Sequence, residues 1–277
     1  MNWVRVRSGM SESLPTVSIL MGIYNCAPTL SEAIESIQAQ TFTDWEFVIC
    51  DDGSKDASLA LAESYARRDP RIKVIKNPQN LGLARTLDHC AAVARGKYFA
   101  RMDGDDRCEP TRLEKLLAVL EAHPEVAVVS SWMTMFDENG TWGLIRTRAH
   151  PTAADFASGS PICHAPCMMR RTAFEAAGGY GSQPWVIRAE DYYLWFRFYA
   201  KGFTALNLQE PLYHMRDDRA AKARRTFKSR INETIVRWKG FGLLGYPLWK
   251  RIWAIRPLLV WAIPSWLYER RRKRNRQ

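Results

Sequence analysis

Short apolar runs alternate with amphipathic segments along the first 130 residues. Val17 to Ile23 (VSILMGI) is apolar and β-branched, which predicts a buried strand. Pro28 opens a helical pattern reaching Gln40, and Trp45 to Cys50 (WEFVIC) is a second strand closed by DDGS. Asp56 is placed to cap a helix over Ala57 to Arg68. RIKVIK, from Arg71 to Lys76, alternates as a third strand and is broken by NPQN. Gly82 to Arg95 reads as a helix, Lys97 to Met102 as a fourth strand, Pro110 to Ala122 as a helix and Val126 to Ser131 as a further strand. Past Thr134 the pattern changes to a hairpin through Glu138-Asn139-Gly140 and then mixed elements. A strong helix follows over Arg188 to Ala200, stopped at Gly202.

Strands alternating with helices in this way predict an α/β fold, a parallel sheet with helices on both faces. Ligands of such sheets bind outside the carboxyl ends of the strands. Two acidic clusters fall at those ends, Asp51-Asp52 after the second strand and Asp103-Gly104-Asp105-Asp106 after the fourth. Carboxylates this close repel one another. One reading makes them solvated turn residues that lead into the next helix. The other gives them a hard divalent cation, Mg²⁺ or Mn²⁺, which combines one or two protein carboxylates with substrate phosphates. Three acids in four residues, beside a second acidic strand end, favour the cation.

Composition changes this picture mainly at the C-terminus. The chain has 277 residues, 47% hydrophobic and 25% charged, enough for one large domain or two small ones with a sizeable core. Its formal net charge is +11, but Arg219 to Gln277 hold 17 Lys or Arg and two acids, which leaves residues 1–218 at −4. Trp238, Trp249, Trp253, Trp261 and Trp266 crowd this basic segment, which ends RRRKRNRQ. The apolar stretch from Ile252 to Tyr268 is interrupted by Arg256, Pro257 and Pro264. It suits an interfacial segment on an anionic membrane better than a spanning helix. A nucleic-acid patch would also be basic, but no recognition fold surrounds it, so no nucleic acid is expected. A partner-binding helix is another reading, and a plain solvated charge run would not need five tryptophans. The six cysteines, at 26, 50, 90, 108, 163 and 167, read as reduced thiols of a cytosolic protein. Cys163 and Cys167 lack the second pair that a zinc site would need. The N-terminal residues contain no apolar run of the kind a secretory signal peptide carries.

Several stretches carry a family resemblance together. VSILMGIYN, QAQTFTDWEFVICDDGSKD, NLGLARTLD and GKYFARMDGDD, in that order, resemble the nucleotide-binding half of the family 2 glycosyltransferases. HAPCMMRR, FEAAGGY, AEDYYLWFRFYAKG and PLYHMR are similar to the acceptor half of bacterial surface-polysaccharide members. The resemblance implies a GT-A fold over 16–218, a Rossmann-like, mostly parallel sheet flanked by helices. Residues 16–107 would form the nucleotide-sugar half and 108–218 the acceptor half. Residues 219–277 would then be a basic, Trp-rich, membrane-associating extension.

The same resemblance implies inverting, metal-dependent transfer of a sugar from a nucleotide-diphosphate donor. The acceptor would be a saccharide or lipid-linked saccharide at the cytoplasmic face of the inner membrane. By position, Tyr24 borders the nucleotide base, unless it is a core aromatic. Asp52 reads a base N–H, unless it caps a helix. Arg85 contacts the nucleotide, unless it is an ordinary exposed arginine. Asp103 and Asp105 match a DxD-type motif, with Asp105 on the metal and Asp103 toward the ribose or a metal-bound water; Asp106 is left to cap the segment leading to Pro110. Asp191, paired with Glu190 at a helix start, matches the general base, kept ionised by the helix amides, unless it is an ordinary helix N-terminal acid. His164 either contacts the diphosphate or acceptor or is a satisfied core histidine. Three positions depart from the pattern: Ala165 separates His164 from Pro166, Gly22 stands near the base pocket, and Asp217 occupies a place where a histidine is common. Two rivals share these features. A sugar nucleotidyltransferase would want a Gly-rich phosphate loop, which IYNCAPT does not supply. A catalytically silent membrane-bound scaffold would have no reason to keep Asp52, Asp105 and Asp191.

Overall fold

In the computed structural model, which describes residues 14–217 and 226–261, β1 (Val17–Ile23) and β2 (Trp45–Asp51) are buried almost throughout. They pair in parallel from Val17 opposite Trp45 to Ile23 opposite Asp51. β3 (Ile72–Lys76) joins β2 and β4 (Tyr98–Arg101) joins β1, both in parallel. Side chains alternate between the two faces of a strand. Ile19, Phe47 and Ala100 therefore pack one way, with Leu30 and Ile34 of α1 (Ala27–Gln38) and Ala62 of α2 (Ser58–Ala66). Leu20, Val48 and Phe99 pack the other way, with Leu87 and Ala91 of α3 (Leu83–Val93). The expected two-sided burial is what makes these strands read as unbroken apolar runs.

The second half is mixed. β5 (Arg107–Cys108), α4 (Arg112–Ala122), β6 (Val126–Asp137), β7 (Gly140–Ile145), β8 (Met168–Arg170), α5 (Arg171–Ala177), α6 (Glu190–Ala200) and β9 (Thr204–Arg216) follow in order. The sheet runs β3-β2-β1-β4-β8-β6-β9-β5, with β7 hairpinned onto β6. β8 is antiparallel to both neighbours, while β6 and β9 are parallel. The long β9 carries the chain back past β5, with Tyr213 opposite Cys108 and His214 opposite Arg107. That register sets Tyr213 and Arg216 beside the acidic end of β4.

Part of the basic segment is folded onto this body. α7 (Phe227–Leu243) buries Val236, Gly240 and Phe241, and the Phe241 ring meets Phe196 of α6 edge-on at 5.8 Å. A Cβ at Gly240 would stand 2.3 Å from the Phe196 ring. Gly240→Ala is therefore expected to cost about 1–3 kcal/mol through overpacking, read as a lowered denaturant midpoint. An unchanged midpoint would mean that the two helices do not meet. α8 (Leu248–Arg251), a 3₁₀ turn (Ile252–Ile255) and α9 (Arg256–Trp261) follow. Among the described residues no helix is long and apolar enough to cross a membrane. Trp266 and the final RRRKRNRQ run lie outside the described residues, as do residues 1–13.

Candidate active site

The turn after β2 is built from its own acids. Asp51 Oδ2 accepts from the Gly53 and Ser54 amides, both at 3.1 Å. Asp52, only 4% exposed, reaches across to the start of α3. It accepts from Asn77 Nδ2 at 2.8 Å, the Leu81 amide at 2.8 Å and the Gly82 amide at 2.9 Å. Asp52 thus ties down the loop that leads into α3, through amides that precede the helix's first turn. Arg85 lies in the first turn of that helix, exposed and with no hydrogen bond or ion pair among the described residues. Tyr24, at the end of β1, is 46% exposed, so it is no core aromatic.

β4 ends on a buried cation. Arg101 is 2% exposed, yet its Nη2 donates to Asp103 Oδ1 and its Nη1 to the Met102 carbonyl. Burial works against the guanidinium charge, but Asp103, Tyr180 and Tyr213 together outweigh it and the net shift is upward. The Asp103 amide donates to the Tyr213 hydroxyl at 3.1 Å. Asp105 stays half-exposed, with its carbonyl accepting from Arg216 Nε at 3.1 Å. Gly104 lets this turn close on α1, because a Cβ there would press to 2.9 Å from Cys26 Sγ.

Asp106 does not cap the segment leading to Pro110. It is buried and accepts from the Arg216 amide of β9 at 2.7 Å. Burial, and then the charges of Asp103 and Asp105, push its pKa well up. Beside it, Arg216 and Arg107 both pair with Glu32 of α1, at 3.0 and 2.6 Å, over the ring of Phe136.

Across the site, α6 begins with the paired acids. Burial, then its neighbour Asp191, raises Glu190 to about 7, and its buried Oε2 has no hydrogen-bond partner among the described residues. Asp191 was expected to be held ionised by the helix amides. Those amides and Arg101 do pull its pKa down, but burial outweighs them and the net shift is upward. His164 is neutral, because burial and then Arg101 push its pKa far down. Its Nε2 meets the Tyr180 hydroxyl at 3.1 Å, and its ring lies 5.5 Å from Trp195, one turn beyond Asp191. Both readings of His164 keep support, since it is satisfied by Tyr180 but sits among the site's aromatics.

Glu190 gives a pH-dependent stability. Its folded pKa of about 7 lies above the ordinary 4.5, so the folded state holds that proton more tightly than the unfolded chain. The resulting destabilisation is absent below pH 4.5, grows as pH rises, and is complete above about 7. Glu190→Gln should therefore raise unfolding free energy by on the order of 1–3 kcal/mol at pH 8 and by nothing in acid. Denaturant titrations at the two pH values read the difference, and an equal effect at both would mean Glu190 titrates normally.

Reading the sequence missed several residues of this neighbourhood. Asp88 on α3 accepts from the Tyr180 and Gly181 amides at 2.8 and 3.3 Å. Arg197 of α6 donates to the carbonyls of Ala177, Gly179 and Tyr180 at 2.7, 2.6 and 2.9 Å. Together they grip the GGYG loop and present Tyr180 to His164. Arg101 did carry a signal, a charge at the end of an apolar strand. Asn77 looked like a strand breaker and also holds Asp52.

A family model described as Glycosyl transferase family 2 matches residues 18–178. The chain belongs to glycosyltransferase family 2. It is 42% identical over 262 residues to a Bacillus subtilis protein named as glycosyltransferase EpsE, covering 94% of each chain. It is 30% identical over 267 residues to the amylovoran biosynthesis glycosyltransferase AmsE of Erwinia amylovora, covering 92% of this chain and 99% of that one. Over 230 residues it is 30% identical to the UDP-Gal:alpha-D-GlcNAc-diphosphoundecaprenol beta-1,3-galactosyltransferase of Escherichia coli, covering 81% and 82%. Among solved structures, S. aureus TarS 1-349 with UDP-GlcNAc aligns with a TM-score of 0.69 at 17% identity, over 88% of this chain and 70% of that one. The mannosyltransferase PcManGT from Pyrobaculum calidifontis, with GDP-Man and Mn²⁺, aligns at 0.63 and 17%, over 90% and 75%. These likenesses make the fold GT-A. Family membership sets the nucleotidyltransferase rival aside.

The glycosyltransferase's acidic edge fits an open cation site and not a closed cage. Among the described residues no group of three or more His, Cys, Asp or Glu is arranged to hold a metal ion. Asp103 and Asp105 are both half-exposed and within electrostatic range of Asp106. Two carboxylates with room for water and phosphate oxygens match what Mg²⁺ and Mn²⁺ take.

Proposed function

We propose that this family 2 glycosyltransferase moves a sugar, with inversion at the anomeric carbon, from a nucleotide-diphosphate donor to a hydroxyl of a lipid-linked saccharide. The carrying observation is Arg101, which pairs with Asp103 on one side and acts on the charge of Asp191 on the other. The buried guanidinium is bonded to one carboxylate set and within electrostatic reach of the other, which supports reading the two as one site. Tyr24, Asp52 and Arg85 line the nucleotide end. Asp103 and Asp105 would hold a divalent cation, which when bound supplies Lewis-acid stabilisation of the departing diphosphate. Asp191 removes the proton of the acceptor hydroxyl as it attacks the face opposite the leaving group. Its raised pKa makes it a stronger base than an exposed aspartate. Glu190 shares the proton load of the pair, and neutral His164 offers a hydrogen bond without adding charge. The E. coli relative, named for a diphosphoundecaprenol-linked substrate, supports the lipid-linked acceptor, and the basic 219–277 segment supports a site at an anionic membrane face.

Thermal-shift screening of nucleoside diphosphates and nucleotide sugars with Mn²⁺ tests the donor reading. A ligand at about 100 times its Kd stabilises the fold by about 2.7 kcal/mol, a readable rise in Tm. No shift with any nucleotide would sink it. Slow donor hydrolysis by the purified protein separates an enzyme from a silent scaffold.

A further inference from the structure

We infer that the basic C-terminal segment divides into a helix that belongs to the catalytic body and a separate lipid-penetrating face, formed by the outer side of α7 together with α8, the 3₁₀ turn and α9. This rests on the membrane reading above and specifies its contact surface. On α7 the inner positions Val236, Gly240 and Phe241 are buried, while Phe227, Ile231 and Trp238 are exposed. Those three are spaced four and seven apart, so they share one stripe of the helix. The next elements extend it with Leu248 at 71% exposure, Trp249 at 69%, Ile252 at 59%, Trp253 at 60% and Leu259 at 58%. The spacing is again helical, and among residues 248–259 Ala254 and Pro257 are buried while Arg251 and Leu258 are half-buried. Scattered apolar residues on a surface need no explanation, but a contiguous run of large ones marks a contact.

A cleft of about 400 Å³ opens along this face, walled by Ile235, Trp238, Ala254 and Ile255, with Lys239 and Arg251 at its sides. The cations stand over the aromatic rings, Lys250 Nζ at 5.1 Å from the Trp249 ring centre and the Arg251 guanidinium at 6.0 Å from that of Trp238. Tryptophan and lysine or arginine at one level is the composition of a membrane interface.

Charge chooses the occupant. Residues 226–261 hold seven Lys or Arg and one acid, Glu233, and 262–277 add six more against Glu269. A second copy docking by the same face would set these charges against each other. An anionic bilayer complements them, at about 1 kcal/mol per basic residue near the surface, while the tryptophans enter independently of salt.

The test uses the full chain with vesicles of phosphatidylglycerol and phosphatidylcholine, and with phosphatidylcholine alone. The intact protein is expected to sediment with the anionic vesicles and to be only partly released by high salt. Trp249→Glu/Trp253→Glu should lower that partition by about tenfold or more, with Mn²⁺-dependent nucleotide binding unchanged as proof of folding. If the intact chain fails to sediment with anionic vesicles, the membrane reading and this face fall together. If it sediments and the double variant does so equally, the membrane reading stands and this face is wrong. If the intact chain is instead a dimer that the double variant dissociates, the face is a self-interface and the inference is overturned.

Discussion

Asp191→Asn is expected to lower transfer turnover by about 10²–10⁴-fold while donor affinity stays nearly intact. The substitution keeps the size of the side chain and its place at the first turn of α6. It removes the carboxylate's capacity to take a proton, which is the role proposed for Asp191. Burial holds the Asp191 carboxyl above its ordinary range, so the acid limb of the turnover–pH profile should lie above that of an exposed aspartate. Below that limb the base is protonated and the rate falls; above it the rate levels. In Asp191→Asn the limb should vanish along with the rate. Glu190 titrates near 7 in the same pocket and is the competing candidate. Near-normal transfer by Asp191→Asn with a dead Glu190→Gln would reverse the two roles.

Asp105→Ala is expected to abolish the divalent-dependent part of nucleotide binding and leave the fold standing. Asp105 is half-exposed, and β9 is anchored by Asp106 and by the Asp105 carbonyl, neither of which the substitution removes. Asp103 is the weaker candidate for direct ligation because Arg101 already occupies one of its oxygens. Asp103→Ala should therefore disturb stability as well as binding, since it leaves the buried guanidinium without its carboxylate, typically a loss of about 3–5 kcal/mol. Calorimetry with Mn²⁺ and the best nucleotide reads the first effect and denaturation reads the second. Unchanged Mn²⁺-dependent affinity in Asp105→Ala would remove that residue from the site.

The strands and helices of the first hundred residues were legible because both faces of β1 and β2 are buried. VSILMGI could then be nothing but a strand, and its bounds agree with the observed Val17–Ile23. The turn acids were legible by place, at the carboxyl edge, but their partners were not. Asp106 looked like its neighbours and is instead a buried acceptor for Arg216, 110 residues away. No local pattern announces a bond of that span. Asp191 shows the same limit in energetic form. A helix start can be read from residue types, whereas the burial that outweighs its amides comes from elements distant in sequence. The basic segment misled in another way. Its tryptophans and cations read as one unit, but Gly240 and Phe241 pack on α6 while Trp249 and Trp253 face outward. The distinction lies in which side of each helix meets the body, and periodicity alone does not say which side that is.

The proposed transfer is a direct, base-assisted displacement at the anomeric carbon, with no covalent glycosyl-enzyme stage. Proton NMR of the sugar first released from an α-linked nucleotide donor, recorded before mutarotation, addresses this most directly. Release of the β-anomer is the predicted result, and first appearance of the α-anomer would contradict it.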